Sequence, residues 1–112
     1  MLSRTYIERK IKHYINNLPI EVKFAILFGS TIYNNRLKNS DIDLIIVSND
    51  FKNMPFEKRI LILQKYWKHN VTLEVFGFTE EEFEKLKSKS IIIQEAIEKG
   101  KIISCKKNKK LN

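Results

Sequence analysis

Apolar residues recur along this chain with two spacings, one typical of helices and one typical of strands. Helical spacing predicts an amphipathic helix over residues 3–18, which ends before Pro19. Uninterrupted apolar runs of strand length predict strands over residues 22–28 and 41–48. Alternating apolar residues predict a third strand over residues 71–78. The first half of the chain is therefore predicted as a helix followed by two strands.

Further helices are predicted between and after the later strands. Residues 56–69 have helical spacing. The side chains expected to face the core from this helix are Phe56, Ile60, Leu63 and Trp67. A capping box, Thr79–Glu82, begins a helix that continues to about Lys87. Another helix is predicted over residues 90–100, and residues 101–104 are expected to form a short last strand at a sheet edge.

This order of elements predicts a small single-domain α/β (α+β) fold, in which a mixed β-sheet is packed with helices. The 112 residues are enough for one compact core, and 43% hydrophobic with 30% charged residues is typical of a folded chain. We expect the folded domain to span residues 1–105 and a basic C-terminal tail to span residues 106–112.

The formal net charge of +8 includes a cluster of lysines near the C-terminus. Such a charge attracts a nucleotide, an acidic protein or nucleic acid, although terminal lysines are also typical of a solvated tail. Nucleic acid ranks below the other partners, because no aromatic residue after Phe83 is interleaved with these lysines.

Cysteine content and hydropathy predict a cytoplasmic protein without membrane contact. Cys105 is the single cysteine and cannot form an internal disulfide, which is compatible with a reducing compartment. No apolar run approaches the roughly 20 residues that a membrane-spanning helix needs. The N-terminus also has no apolar signal core.

The candidate chemistry lies between the first two predicted strands. Asp41 and Asp43 are two residues apart at the start of a strand, so their carboxylates point to the same face. Two such charges repel each other, and a divalent cation removes that repulsion. Because carboxylate oxygens are hard ligands that leave room for water and phosphate, the pair favours Mg²⁺ over a soft metal.

Gly29 and Ser30 follow the first strand directly and complete this candidate site. Glycine lets the backbone approach a ligand closely, and the free N–H groups of a following turn can bind an anion. Residues 30–34 are expected to form a short helical turn, and residues 35–40 an exposed loop that carries Arg36 and Lys38. Each of these two cations is interpreted either as a phosphate ligand or as a solvated loop charge. The whole segment indicates a nucleoside triphosphate bound with Mg²⁺.

The spacing of Gly29-Ser30 and Asp41-Ile42-Asp43, with ten residues between them, resembles the GS-x10-DxD signature of the DNA polymerase beta-like nucleotidyltransferase superfamily. The short chain and the run SDIDL look like its minimal nucleotidyltransferase (MNT) branch. The C-terminal run FTEEEF…IIIQEAIEKGKII is similar to the end of MNT proteins. One departure is Asn34, where many relatives have glycine; asparagine tolerates the left-handed conformation better than most residues.

The resemblance implies a polymerase-beta-like fold for residues 1–105 and transfer of a nucleoside monophosphate, AMP from ATP, onto a hydroxyl. It implies two Mg²⁺ ions held by Asp41, Asp43 and Glu74, with Gly29 and Ser30 on the β- and γ-phosphates and Arg36 as a helper. Glu74 lies on the opposite face of its strand from Leu73 and Val75. The alternative for Glu74 is an edge-strand glutamate that faces water.

For partners, the resemblance implies a helical HEPN protein, with this chain as the antitoxin that transfers AMP to a tyrosine of a HEPN toxin. A homo-oligomer is left open. Three alternatives also stay open. One is a weak or inactive module that neutralises a partner by covering it. The others are a nucleic-acid-binding protein and a nucleotidyltransferase that modifies small molecules of the aminoglycoside kind.

Overall fold

The computed structural model describes residues 2–29, 36–37 and 42–104. Within those ranges the chain contains six strands, four α-helices and one short 3₁₀ helix at Asn49–Phe51. The strands are β1 (Leu2–Ser3), β2 (Phe24–Phe28), β3 (Arg36–Leu37), β4 (Ile42–Val47), β5 (Leu73–Phe78) and β6 (Lys101–Ser104). The helices are α1 (Arg4–Asn16), α2 (Phe56–Lys65), α3 (Glu80–Leu86) and α4 (Ile91–Lys99).

Four of these strands form one mixed sheet in the order β5-β4-β2-β6. Strands β4 and β5 are parallel, whereas β2 is antiparallel to both β4 and β6. The predicted α+β fold with a mixed sheet is therefore confirmed, and so is the last strand at a sheet edge. No helix in the described part of the chain is long and apolar enough to cross a bilayer.

The central strand β4 is apolar on both faces because helices cover both sides of the sheet. On one side, a cluster that includes Leu44 and Ile46 packs with residues of α1 and α2. On the other side, Ile45 and Val47 pack with residues of α3 and α4. This explains why the run over β4 is continuously apolar rather than alternating.

The helix boundaries agree with the capping residues read from the sequence. Thr79 and Glu82 form the predicted capping box at the start of α3. The Ser90 hydroxyl accepts a hydrogen bond from the N–H of Ile93 at the start of α4, and Gly100 caps its end. The hydroxyls of Thr79 and Ser90 thus accept hydrogen bonds from N–H groups that a helix start leaves without a backbone partner.

The helix predicted over residues 56–69 is four residues shorter in the structure. Beyond Lys65, the N–H of Trp67 donates to the carbonyl of Gln64, and the Trp67 indole N–H donates to the carbonyl of Val71 at 2.7 Å. These bonds close a turn instead of extending the helix. Trp67 lies half-buried at the rim of the core, where its ring packs edge-on against Tyr14 at 5.1 Å.

The prediction that Phe56 and Ile60 face the core is wrong. They are 52% and 38% exposed, and the buried residues of α2 are Leu63 and Arg59. Arg59 can be buried because its guanidinium donates to the carbonyls of Met54 and Gly77 and to the carboxylate of Glu82. The exposed Phe56 ring lies 4.3 Å from that guanidinium, so it covers a buried cation from the solvent side instead of packing in the core.

The predicted exposed loop over residues 35–40 is also partly wrong. Arg36 and Leu37 form β3, which pairs with β1 in an antiparallel two-stranded sheet. Its partner residues are Leu2 and Ser3, which lie directly before α1. Pairing between segments more than 30 residues apart satisfies backbone groups that a loop would leave to water, and local sequence pattern does not reveal it. The predicted turn at residues 30–34 and the tail at residues 106–112 lie outside the described residues.

Candidate active site

The candidate site lies where β2 ends and where β4 and β5 begin. Phe28, the last residue of β2, pairs with Asp43 of β4. Asp43 in turn pairs with Glu74 of β5 in parallel register. Register partners on adjacent strands point their side chains to the same face, and the strands lie about 4.8 Å apart. The side chains of Asp43 and Glu74 therefore leave the backbone at neighbouring positions, on the same face and at one end of the sheet.

The face that carries these carboxylates is the one covered farther along by α3 and α4. Side chains alternate along a strand, so Asp43 shares a face with Ile45, which belongs to the core beneath those helices. Glu74 likewise shares a face with Phe76 and Phe78, whereas Leu73 is buried on the other side. The predicted division of the residues of β5 between the two faces is confirmed.

Gly29 brings the backbone of the turn after β2 against the Asp43 carboxylate. Its φ of 82° lies in the left-handed region, which L side chains rarely adopt. A Cβ built on Gly29 would lie 3.0 Å from Cγ of Asp43 and would overlap its Oδ2 atom. Glycine is therefore required here twice, for the turn and for the contact.

Asp43 and Glu74 differ in their surroundings. Asp43 is half-buried between the end of β2 and the start of β5, whereas Glu74 is exposed on the edge strand of the sheet. That exposure is compatible with both interpretations of Glu74, a third metal ligand or a glutamate that faces water. Within the described residues, no three His, Cys, Asp or Glu side chains form a group that could hold a metal ion.

Of the remaining predicted site residues, the structure describes only the backbone of Arg36. Asp41, the second carboxylate of the predicted pair, and Ser30 lie outside the described residues. The backbone of Arg36 forms part of β3 and pairs with Ser3. A phosphate-binding role for Arg36 therefore stays a prediction, as do the roles of Asp41 and Ser30.

An apolar cavity of about 210 Å³ lies farther along the strands, on the face of the sheet that carries the carboxylates. Its lining includes Ile45, Phe76, Ile92 and Ile93. Ile45 is two residues beyond Asp43 on β4, and Phe76 is two residues beyond Glu74 on β5, so each lies at the next position on the same face of its strand.

A second cavity, of about 280 Å³, lies at the same end of the sheet but on its other face. Ile42, the residue before Asp43, lines it, together with residues of α1 and of the turn after α2. Helical spacing predicts Trp67 in the core and assigns no role to its neighbours Lys68 and His69. Hydrophobic spacing carries no signal for this cavity, because its walls come from segments about 60 residues apart.

Comparison with known proteins identifies the family of the chain. The model of the family described as polymerase beta, nucleotidyltransferase matches residues 9–109. No curated protein gives a significant match. Among solved structures, the chain is similar to an inferred nucleotidyltransferase from Sulfolobus solfataricus, with 23% identity, a TM-score of 0.49, and coverage of 74% of this chain and 72% of that one. Since this match covers most of the chain, the chain belongs to the polymerase beta nucleotidyltransferase family.

Proposed function

We propose that the protein is a Mg²⁺-dependent nucleotidyltransferase that transfers AMP from ATP to a hydroxyl group of a protein partner. The observation that carries this proposal is the register of the sheet. It pairs Asp43 with Glu74 on one face, directly beside the left-handed turn at Gly29. The family of the chain supports nucleotidyl transfer in general. The metal, the nucleotide and the acceptor are the proposed parts.

The carboxylates at this end of the sheet support a divalent cation as the proposed cofactor. Members of the family usually use divalent metal ions. Carboxylate oxygens are the ligands that Mg²⁺ prefers, and Gly29 leaves the space that the Asp43 carboxylate occupies. Asp41, two residues before Asp43, would add a second carboxylate on the same face, and Glu74 a third. When bound, Mg²⁺ would stabilise the negative charge that develops on the phosphates during transfer.

Each proposed residue has a role in the reaction. Backbone N–H groups at Gly29 and Ser30 would bind the β- and γ-phosphates, with Arg36 beside them. The acceptor oxygen attacks the α-phosphorus, the bond from that phosphorus to the bridging oxygen of the β-phosphate breaks, and pyrophosphate leaves. Glu74 would accept the proton of the acceptor hydroxyl. Position and charge are the main contributions of the protein to such a transfer.

The apolar cavity on the same face as Asp43 and Glu74 supports a substrate that carries a ring or another apolar group next to its reacting end. Phe76 is 38% exposed at this cavity, and Ile92 on α4 is half exposed. Exposed apolar side chains beside a polar centre are typical of sites that bind a ligand or a protein.

We propose a helical HEPN toxin as the protein partner and an antitoxin role, in the cytoplasm, for this chain. The proposal is supported by the exposed isoleucines of α4: Ile91 is 78% exposed, and Ile92 lines the cavity. A partner that covered these residues would also enclose the carboxylates and exclude water from the transfer.

The experiment that tests this function uses ATP labelled at the α-phosphate, together with Mg²⁺, this chain and a candidate helical partner. We expect label to become attached covalently to the partner, and Asp43→Asn to abolish the labelling. Asp50→Asn is the matched control, because Asp50 is exposed and contacts the backbone of Glu21 instead of this site. Label on the partner in the presence of Asp43→Asn would exclude Asp43 from the reaction.

A module that acts only by covering its partner is the second candidate, favoured by the exposure of Glu74 on an edge strand. In that case Mg²⁺ would still raise the melting temperature of the chain, but no label would be transferred although the partner binds. Binding without labelling would therefore move the conclusion to this second function.

A further inference from the structure

The cavity on the other face of the sheet has the walls of a ligand site. Its volume of about 280 Å³ is large enough to hold a small organic molecule. One wall is the first half of α1, with Tyr6 and Lys10. The opposite wall is the turn after α2, from Trp67 to Val71, and Ile42 lies at the base. The N–H of Ile42 donates to the carbonyl of Thr72 at 2.9 Å, which joins this turn to the start of β4.

Apart from the Tyr6 phenol, the ionisable side chains that line this cavity are basic in the described part of the chain. They are Lys10, Lys68 and His69, and no carboxylate of the described chain lines the cavity. The nearest acid along α1, Glu8, is ion-paired with Lys101 at 3.4 Å. The local charge is therefore positive and is not balanced within the cavity, which favours an anionic ligand.

The pKa of His69 reflects the same surroundings. Burial lowers this pKa, and the charges of Lys10 and His13 lower it further. This lowered pKa favours the neutral imidazole, which presents one ring N–H donor and one acceptor beside the amide of Asn70. Two ammonium groups, an imidazole and an amide at one opening are a donor set suited to a phosphate group.

Aromatic rings complete the site. The Tyr6 ring is 37% exposed and lies 5.0 Å from the ammonium of Lys10. The Trp67 ring is anchored by the bond of its N–H to Val71 and contacts the imidazole of His69 with ring centroids 4.6 Å apart. Rings held next to cations are typical of sites that bind the base of a nucleotide together with its phosphate.

From this juxtaposition we propose that the cavity between α1 and the turn after α2 is a second ligand site, which binds a nucleotide unit through its phosphate. Lys10 and Lys68 neutralise the phosphate, while Tyr6 and Trp67 contact the base. The ligand is a nucleoside monophosphate, either free or at the end of a polynucleotide chain. This site is separate from the carboxylates, because it opens on the face of the sheet opposite Asp43 and Glu74.

Trp67 makes the proposal measurable, since it is the single tryptophan of the chain and lines the cavity. The fluorescence of Trp67 is followed during titration with AMP, and separately with inorganic phosphate, in the presence of EDTA. EDTA removes metal-dependent binding at the carboxylates. We expect a saturable change with AMP, and a weaker one with phosphate, which lacks the ring.

Two double variants matched in charge show where the anion binds. Lys10→Gln with Lys68→Gln is expected to weaken AMP binding about tenfold or more, because each hydrogen bond to a charged group is worth roughly that factor. Lys52→Gln with Lys89→Gln removes the same charge from exposed positions that do not line the cavity, and is expected to change the affinity less than about twofold. Equal weakening in both variants would overturn the proposal, because it would reflect the net charge alone.

A single variant gives the same test without removing a lysine. Asn70→Asp places a negative charge at the exposed opening of the cavity and is expected to weaken AMP binding while circular dichroism stays native. Unchanged affinity for AMP would overturn the proposed site.

Titration with a short oligoribonucleotide distinguishes a free nucleotide from the end of a polynucleotide chain. A lower dissociation constant for AMP identifies the free nucleotide as the ligand, and a lower dissociation constant for the oligoribonucleotide identifies the chain end. Absence of a saturable response to AMP, phosphate and oligonucleotide would overturn the proposal.

Discussion

The backbone of Gly29 lies directly against the carboxylate of Asp43, so that a single methyl group added to Gly29 would occupy the place of an Asp43 oxygen. Residues 14 positions apart in sequence thus share one small volume at the end of the sheet. The turn after β2 and the start of β4 are joined there by the antiparallel register of Phe28 with Asp43. This contact relates the turn that would bind phosphate to the carboxylate that would bind metal.

Gly29→Ala tests this contact. Alanine at a φ of 82° is strained, and its Cβ would displace the Asp43 carboxylate, so we expect a loss of stability of about 1–3 kcal/mol. A displacement of about 1 Å at a catalytic group costs on the order of 100-fold in rate, and we expect labelling to fall by at least that factor. Asn53→Ala is the control, because Asn53 also has a left-handed φ, of 65°, but lies outside the site. Equal loss of labelling in both variants would exclude a specific role for Gly29.

Metal binding is predicted to stabilise the folded chain through Asp43. A ligand at 100 times its dissociation constant stabilises the state that it binds by about 2.7 kcal/mol, so Mg²⁺ should raise the melting temperature. In Asp43→Asn we expect no such increase, and a metal-free stability equal to or slightly above that of the wild type, because a carboxylate beside other carboxylates is repelled. Thermal unfolding with Mg²⁺ and with EDTA measures both effects. A metal-dependent shift that persists in Asp43→Asn would place the ion elsewhere.

Glu74→Gln distinguishes the two interpretations of Glu74. If this carboxylate binds metal or accepts the proton of the acceptor, single-turnover labelling should fall by about 100-fold or more, while the fold is retained because Glu74 is exposed. Glu98→Gln, an exposed glutamate on α4, is the matched control. Wild-type labelling in Glu74→Gln would identify Glu74 as a glutamate of the sheet edge that only faces water.

Arg59 and Glu82 form the ion pair that holds α2, β5 and α3 together. The guanidinium, 3% exposed, makes two bonds to the carboxylate, at 2.6 and 3.0 Å. Glu82→Ala would leave this cation buried without its partner, and we expect a loss of about 2–3 kcal/mol, below the value for fully buried pairs because Glu82 is 33% exposed. Urea unfolding measures the loss. Glu84→Ala, whose partner Lys87 is at the surface, should cost about 0.5 kcal/mol or less.

The same pair predicts a dependence of stability on pH. The hydrogen bond from Arg59 lowers the pKa of Glu82, against the opposing effect of burial. A carboxyl whose pKa is lower in the folded state contributes stability that is present above its unfolded pKa, near 4.5, and is lost as the pH falls through its folded pKa. The difference in unfolding free energy between wild type and Glu82→Gln should therefore shrink from about pH 6 to about pH 3. A difference that is constant over this range would contradict the lowered pKa.

Local chemistry made several elements predictable. Thr79 and Ser90 were identified as helix starts because a hydroxyl before an amphipathic run satisfies free N–H groups, and both bind the backbone as expected. The prediction of which side of α2 faces the core is wrong, because it rests on spacing alone, which assigns Phe56 and Ile60 to the core. A buried arginine could not be foreseen, since its burial depends on Gly77 and Glu82, residues of other elements.

Most helices and strands, the family signature and the residue types of the candidate site are predictable from the sequence, because these depend on neighbours within a few positions. Which residues meet became visible only in the folded chain: Asp43 lies beside Glu74 through parallel pairing, and Gly29 lies against Asp43 through the antiparallel turn. Folding also brings Lys10 and His69 to one cavity. Contacts between distant segments arise from strand register and helix packing, and their free energy is a property of the assembled core rather than of any local pattern.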